Sequence, residues 1–135
     1  QEEVAIRMSA NEKSPNKAYG LLTVLSQFWS NCRILKQVKS KSFYPAPKVN
    51  SALVKLVVRE KPLLDLSDYS YFRKTIRGGF SARRKNIKNA LMNKGFDKDK
   101  ILTALEKVGI SENTRSESIS IEDFGRLSEE LCKLK

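Results

Sequence analysis

The chain has 135 residues, 40% apolar and 30% charged, which suits a water-soluble protein of one ordinary domain or two small pieces with a modest core. Its formal net charge is +11 and it contains no histidine, which excludes His-based catalytic triads and most zinc sites. No apolar run approaches the ~20 residues of a membrane span, and the polar, acidic start Gln1-Glu2-Glu3 does not read as a signal peptide.

In chain order, residues 2 to 9 read as a short helix with Val4, Ala5 and Met8 on one side. Residues 11 to 16, with Pro15, read as a loop. A second helix is expected from about residue 17 to residue 30, where Leu21, Val24, Leu25 and Phe28 recur at the 3.6 period. The period then changes. Cys32, Ile34 and Val38 lean to a strand, and from Ser51 to Arg59 the alternation of Ala52, Val54, Leu56 and Val58 makes a firmer one. A proline-rich loop lies between them. Lys61-Pro62 closes the strand and marks a boundary.

Everything beyond it reads as helical. Tyr69, Phe72, Ile76 and Phe80 form one apolar stripe, with Arg73, Lys74 and Arg77 off it; Ile87, Ala90 and Leu91 form a second, ended by Gly95. Asp97 caps a third helix carrying Ile101, Leu102, Leu105 and Val108, closed by Gly109. Ser120 with Asp123 three residues on resembles a capping box and opens a last helix with Phe124, Leu127 and Leu131. The expected organisation is therefore a mixed α+β part over residues 1–61 and an all-α part over residues 65–135. A sheet of two strands is marginal in water and leaves strand edges that need partners. The first part thus reads as the tail end of a larger sheet. Gln1, in place of a Met, reads as a cut point or a processed end.

The positive charge is concentrated. From Lys36 to Lys94 there are 15 Lys/Arg against 3 Asp/Glu, whereas the remaining residues hold 11 against 12. Such a concentration is a footprint for a polyanion. No helix joins a basic face to a wide aromatic face, so nucleic acid fits better than a membrane. Cys32 and Cys132 each sit in an apolar pattern and read as reduced, buried thiols of a cytoplasmic protein; they form no metal site.

Two segments carry the candidate chemistry. In Phe43-Tyr44-Pro45-Ala46-Pro47-Lys48-Val49-Asn50-Ser51, two prolines at alternate positions stiffen the loop. A stiff loop presents an aromatic ring at low entropic cost, and an unpaired base needs such a ring to stack on. Lys48 is placed to meet a phosphate. The alternative is a rigid connection whose Phe43 packs into the core. The second segment is Phe80-x-x-Arg83-Arg84-Lys85-x-Ile87-x-Asn89-x-Leu91. Three consecutive cations cannot share one face of a helix and fit better in a turn, gripping phosphates from several directions. The alternative is a solvated charged turn, to which the neighbouring Arg73, Lys74, Arg77 and Lys88 are an objection.

The first segment resembles the F-x-P-x-P-K-V-[DN]-S motif of the rRNA adenine N6-methyltransferases, which include the small-subunit KsgA type and the Erm resistance type. The second is similar to the F-x-x-R-R-K-x-L-x-N-x-L signature of the KsgA type, with Ile87 for Leu. Gln1-Glu2-Glu3-Val4-Ala5-x-Arg7, Tyr19-Gly20-x-Leu22-x-Val24 and Arg115-x-Glu117-x-Ile119-Ser120 resemble further stretches of the same family, with Glu2 for Lys and Ile119 for Leu. The resemblance spans the whole chain in order, and the helical second part favours the small-subunit type.

The resemblance implies that residues 1–61 are the last strands and helices of a Rossmann-like methyltransferase sheet, and that residues 65–135 are a small all-α C-terminal domain that docks RNA. It implies that Phe43 stacks on a flipped target adenine, and that Lys48, Arg73, Lys74, Arg77, Arg83, Arg84, Lys85 and Lys88 bind RNA. The implied partner is small-subunit rRNA or the pre-ribosomal small subunit, the cofactor is S-adenosylmethionine, and the protein is a cytoplasmic monomer. Activity needs positioning of the adenine amine more than a general base. The family's glycine-rich cofactor turn and its N-[LI]-P-[YF] catalytic loop are absent from these residues, and both would lie upstream of Gln1. No cofactor-binding or metal residue is therefore assigned, and the portion alone is expected to be inactive. A non-catalytic RNA-binding or ribosome-assembly module and an Erm-type large-subunit enzyme are the alternatives.

Overall fold

A computed structural model describes all residues, Gln1–Lys135. It contains six α-helices and one two-stranded sheet, and it divides into two compact units, Gln1–Leu63 and Leu64–Lys135.

The first unit holds α1 (Glu2–Met8), α2 (Leu21–Trp29), β1 (Ser30–Val38) and β2 (Ser51–Val58). Two side chains join the helices. The Thr23 hydroxyl donates to the Arg7 carbonyl and accepts the Gly20 N–H, and the Gln27 amide donates to the Met8 and Ala10 carbonyls at 2.9 and 2.8 Å. The Gly20–Thr23 bond also explains why α2 starts at Leu21 rather than near residue 17: Thr23 satisfies an N-terminal backbone donor there. β1 and β2 pair antiparallel, with Cys32 opposite Leu56 and Ile34 opposite Val54. A bulge at Leu35 then shifts the register, so Val38 lies opposite Ser51 and no longer shares a face with Ile34.

The core of this unit is small, with Phe28, Tyr19 and Val24 its largest buried members alongside three alanines. Twelve of the thirteen large exposed apolar side chains of the protein belong to it. The β2 alternation is present, but Leu56 and Val58 at its far end are 50% and 77% exposed. A two-stranded sheet with this much uncovered apolar surface is unsatisfied by its own unit. Cys32 and Cys132 are both free and only partly buried, so the expectation of buried thiols is too strong.

The second unit is all helical: α3 (Tyr69–Gly79), α4 (Ile87–Met92), α5 (Lys98–Val108) and α6 (Ile121–Leu134). Its core is continuous, with Phe72, Ile76, Ile87, Leu91, Ile101, Leu105, Phe124, Leu127 and Leu131 nearly or fully buried. Each helix starts on a side-chain cap: Asp68, Asn86, Asp97 and Ser120 accept the N–H groups of Tyr71, Asn89, Lys100 and Asp123. The capping box at Ser120 has only this arm, because the Asp123 carboxylate is taken by Arg126. Gly95 and Gly109, at φ of 86° and 73°, follow α4 and α5 in the left-handed region. In each case the next residue, Phe96 or Ile110, donates back to a carbonyl five residues earlier, which closes the helix end. No helix of the protein is long and apolar enough to cross a membrane.

Candidate nucleic-acid interface

The proline-rich loop leaves β1 through a 3-10 turn at Ser40–Ser42 and returns at Ser51. Ser42 and Phe43 donate their N–H groups back to Lys39 and Ser40, which fixes the turn and leaves Phe43 extended at φ −113° and ψ 152°. The Tyr44–Pro45 peptide is cis. At the far end, Asn50 closes the loop. Its Oδ1 accepts the Ser40 N–H at 3.0 Å, and its carbonyl accepts the Glu2 N–H at 3.1 Å. One residue thus holds both ends of the loop together and ties them to the start of α1.

None of the loop's bonds uses the Phe43 ring. Phe43 is 46% exposed and Tyr44 is fully exposed, so Phe43 does not pack into a core. Lys48 is exposed on the same loop, and Lys39 and Lys41 are exposed on the turn just before Phe43. These last two were not singled out in the sequence; their signal was their adjacency to Phe43. What the arrangement offers is an aromatic face on a pinned backbone, with cations on both sides of it in sequence. That suits stacking on an unpaired base and contact with its phosphates.

In the second unit, Arg73, Lys74 and Arg77 lie on the exposed side of α3, opposite Phe72, Thr75 and Ile76. Arg83, Arg84 and Lys85 are exposed in the turn between α3 and α4. None of these six pairs with a carboxylate within the protein. Lys88 differs: it is half-buried and bridges to Glu112 at 3.1 Å, a partner 24 residues away that no local pattern reveals. It is the least available of the eight candidate RNA-binding residues.

The turn itself is held at both ends. The Ser81 hydroxyl donates to the Gly78 carbonyl at 2.7 Å, the Lys85 N–H donates to the Ala82 carbonyl, and Asn86 caps α4. The Ile87 N–H reaches the Thr114 carbonyl at 2.7 Å. Behind the turn, Gly78 and Gly79 let α3 approach its neighbours closely. A Cβ on Gly79 would lie 3.1 to 3.2 Å from Phe124, Ser116 and Ile87, and one on Gly78 would lie 3.0 Å from Leu91. The buried Ser116 hydroxyl donates to the Gly79 carbonyl at 2.6 Å. The glycine pair is therefore filled by packing against Leu91, Phe124, Ser116 and Ile87. Asp68, at the start of α3, accepts the Tyr71 N–H and pairs with Lys135 at 3.3 Å; these hold its carboxyl below its usual pKa.

Comparison with known proteins bears on this geometry. The family model described as ribosomal RNA adenine dimethylase matches residues 1–133. A protein named ribosomal RNA small subunit methyltransferase A from Caldanaerobacter subterraneus is 41% identical over 134 residues, covering 99% of this chain and 49% of that protein. Its namesake from Clostridium botulinum (strain ATCC 19397 / Type A) is 40% identical over 130 residues, covering 96% and 46%. The chain spans about half the length of these curated relatives. Among solved structures, a dimethyladenosine transferase from Plasmodium falciparum superposes with a TM-score of 0.74 at 27% identity, over 94% of this chain and 53% of that one. The 23S rRNA methyltransferase ErmE superposes at 0.58 and 24% identity, over 90% of this chain and 50% of that one, which shows a shared fold alone. With a family match across all but its last two residues, the chain belongs to the ribosomal RNA adenine dimethylases.

Proposed function

We propose that this chain is the RNA-facing C-terminal portion of an S-adenosylmethionine-dependent enzyme that dimethylates adenosines of small-subunit rRNA during ribosome maturation. The observation that carries the reading is Phe43: a half-exposed ring on a loop whose backbone is pinned without it, flanked by unpaired lysines. In this reading Phe43 stacks on the flipped adenine, while Lys48 and the cations of α3 and the following turn hold phosphates. The relatives named small subunit methyltransferase A support the small subunit as substrate.

Residues 1–61 would complete a Rossmann-like sheet in the intact enzyme. The uncovered Leu35, Leu53, Leu56, Val57 and Val58 of β1 and β2 support this, since further strands and helices would cover them. Residues 65–135 would dock the rRNA. Cofactor binding and methyl transfer would reside in the rest of the enzyme, and this portion alone would transfer no methyl groups. The test is methylation by the full-length protein, with labelled methyl donor, of separated small-subunit and large-subunit particles. Label confined to small-subunit adenosines is expected. Label in the large subunit would replace this reading with the Erm type, and no label in either would leave an RNA-binding module.

A further inference from the structure

The helical unit holds a second basic feature, outside the two motifs, that shares only Lys74 with the contacts assigned above. A cavity of about 170 Å³ opens between the flank of α3 and the start of α5, lined by Tyr71, Lys74, Phe96, Asp97, Lys100 and Lys135 among others. The Tyr71 and Phe96 rings meet edge to face, with centroids 6.0 Å apart. Lys74 Nζ lies 5.0 Å from the Phe96 centroid and 5.8 Å from that of Tyr71, and Lys135 Nζ lies 5.2 Å from Tyr71. The aromatic pair therefore positions two ammonium groups at one cavity, which Lys100 also lines.

Cation–π contact orders an ammonium but does not neutralise it. Lys74 and Lys100 have no carboxylate partner; Lys135 alone is paired, with Asp68. Of the lining carboxylates there is only Asp97, and its Oδ1 already accepts the Lys100 N–H as the α5 cap. With Asp68 paired to Lys135 and Asp97 committed to the α5 cap, Lys74 and Lys100 still lack a counter-charge at a cavity they share, and an anion seated there would supply it. The cavity is well below the ~300–1,000 Å³ of small-molecule pockets, so a single compact group fits it better than a whole ligand. Gly95 also lines it and adds no side chain to fill it. Lys74 also belongs to the exposed α3 stripe with Arg73 and Arg77, which makes the cavity the continuation of that stripe.

We propose that this cavity seats one backbone phosphate of the RNA bound along α3, with Lys74, Lys100 and Lys135 as its ligands. The proposal rests on the RNA-docking reading above. It is tested on the full-length protein with a labelled RNA hairpin, by measuring Kd across a KCl series for Lys100→Gln and for Lys98→Gln. Lys98 is an exposed residue of the same helix turn that does not line the cavity, so both variants lose one charge. Loss of a seated phosphate lowers the slope of log K against log salt by about 0.7–0.9. That drop is expected for Lys100→Gln, with recovery in Lys100→Arg, while Lys98→Gln keeps the wild-type slope. Equal slopes for the two Gln variants overturn the proposal. An Arg83→Gln/Arg84→Gln double variant separates the two failures. If it lowers the slope and Lys100→Gln does not, RNA docking stands and the cavity falls. If wild-type binding ignores salt, the docking reading itself falls, and the cavity with it. Inorganic phosphate forms the last arm: saturable shifts of the Gly95 and Lys100 amides, with no effect of Lys100→Gln on RNA, would assign the cavity to a free anion instead.

Discussion

Replacing Phe43 with alanine removes the ring of a residue that is 46% exposed, from a loop whose hydrogen bonds run through its backbone and Asn50. Complete burial of a Phe side chain stabilises a fold by ~1.5–3 kcal/mol, so truncating a ring already half in solvent costs about 1 kcal/mol. In a protein the size of the intact relatives that is a Tm change of roughly 2–4 °C. Stacking under an unpaired base contributes ~1–3 kcal/mol. If that contact holds the adenine during methyl transfer, its loss slows methylation by roughly 5- to 150-fold at about 1.36 kcal/mol per decade. RNA affinity, carried by phosphate contacts elsewhere, should stay within about 2-fold. The measurement compares single-turnover methylation, RNA binding and thermal melting of Phe43→Ala with those of Phe43→Trp, which keeps an aromatic face. Unchanged methylation in Phe43→Ala would refute the stacking role. A Tm loss beyond about 10 °C would show that the ring is structural, against the exposure argued here.

Asn50→Ala leaves the Ser40 N–H without its side-chain acceptor, at ~1 kcal/mol for the bond; methylation should fall although Phe43 is intact, and protease should cut faster between residues 39 and 50, with Asn50→Asp restoring both. For Gly79→Ala, a helix-propensity gain of ~1 kcal/mol opposes overpacking of ~1–3 kcal/mol against Phe124, Ser116 and Ile87. The Ser116 hydrogen bond is disturbed as well, so the urea midpoint of the chain should drop at constant m. Asp68 is held below its ordinary value of 3.8 chiefly by the Tyr71 N–H, with Lys135 adding to it. A depressed carboxyl contributes stability that is present above that value and lost as pH falls through the folded pKa, so Asp68→Asn, which still caps α3, should flatten the acid end of a Tm–pH profile.

Much of this was legible in the sequence because it is local. The stripes Tyr69/Phe72/Ile76 and Phe124/Leu127/Leu131 set helix faces, and Asp97 and Ser120 announce their own helices. Three consecutive cations at Arg83, Arg84 and Lys85 belong in a turn, and they lie in one. What escaped depends on contacts across the chain. The β2 alternation says which side of the strand each residue takes, not whether anything covers that side, and Leu56 and Val58 are bare. The bulge at Leu35 turns Val38 away from Ile34 without a trace in the composition. Lys88 reads as one more cation of the patch until Glu112 is found beside it.

The two candidate RNA contacts are built on one physical plan. Each presents functional side chains on a short irregular segment, and each fixes that segment with side-chain hydrogen bonds rather than with the functional groups themselves. Asn50 clasps the loop that carries Phe43; Ser81 and Asn86 clasp the turn that carries Arg83, Arg84 and Lys85. Behind the turn, the absence of a side chain at Gly79 admits Phe124 and lets Ser116 bond the helix end, so the cations project from a turn backed by close packing. A segment ordered in advance pays little entropy when RNA arrives, which leaves the binding energy of the ring and the cations for placing the base. The residues most worth mutating are therefore not only those that would touch RNA but Asn50, Ser116 and Gly79, which would touch none.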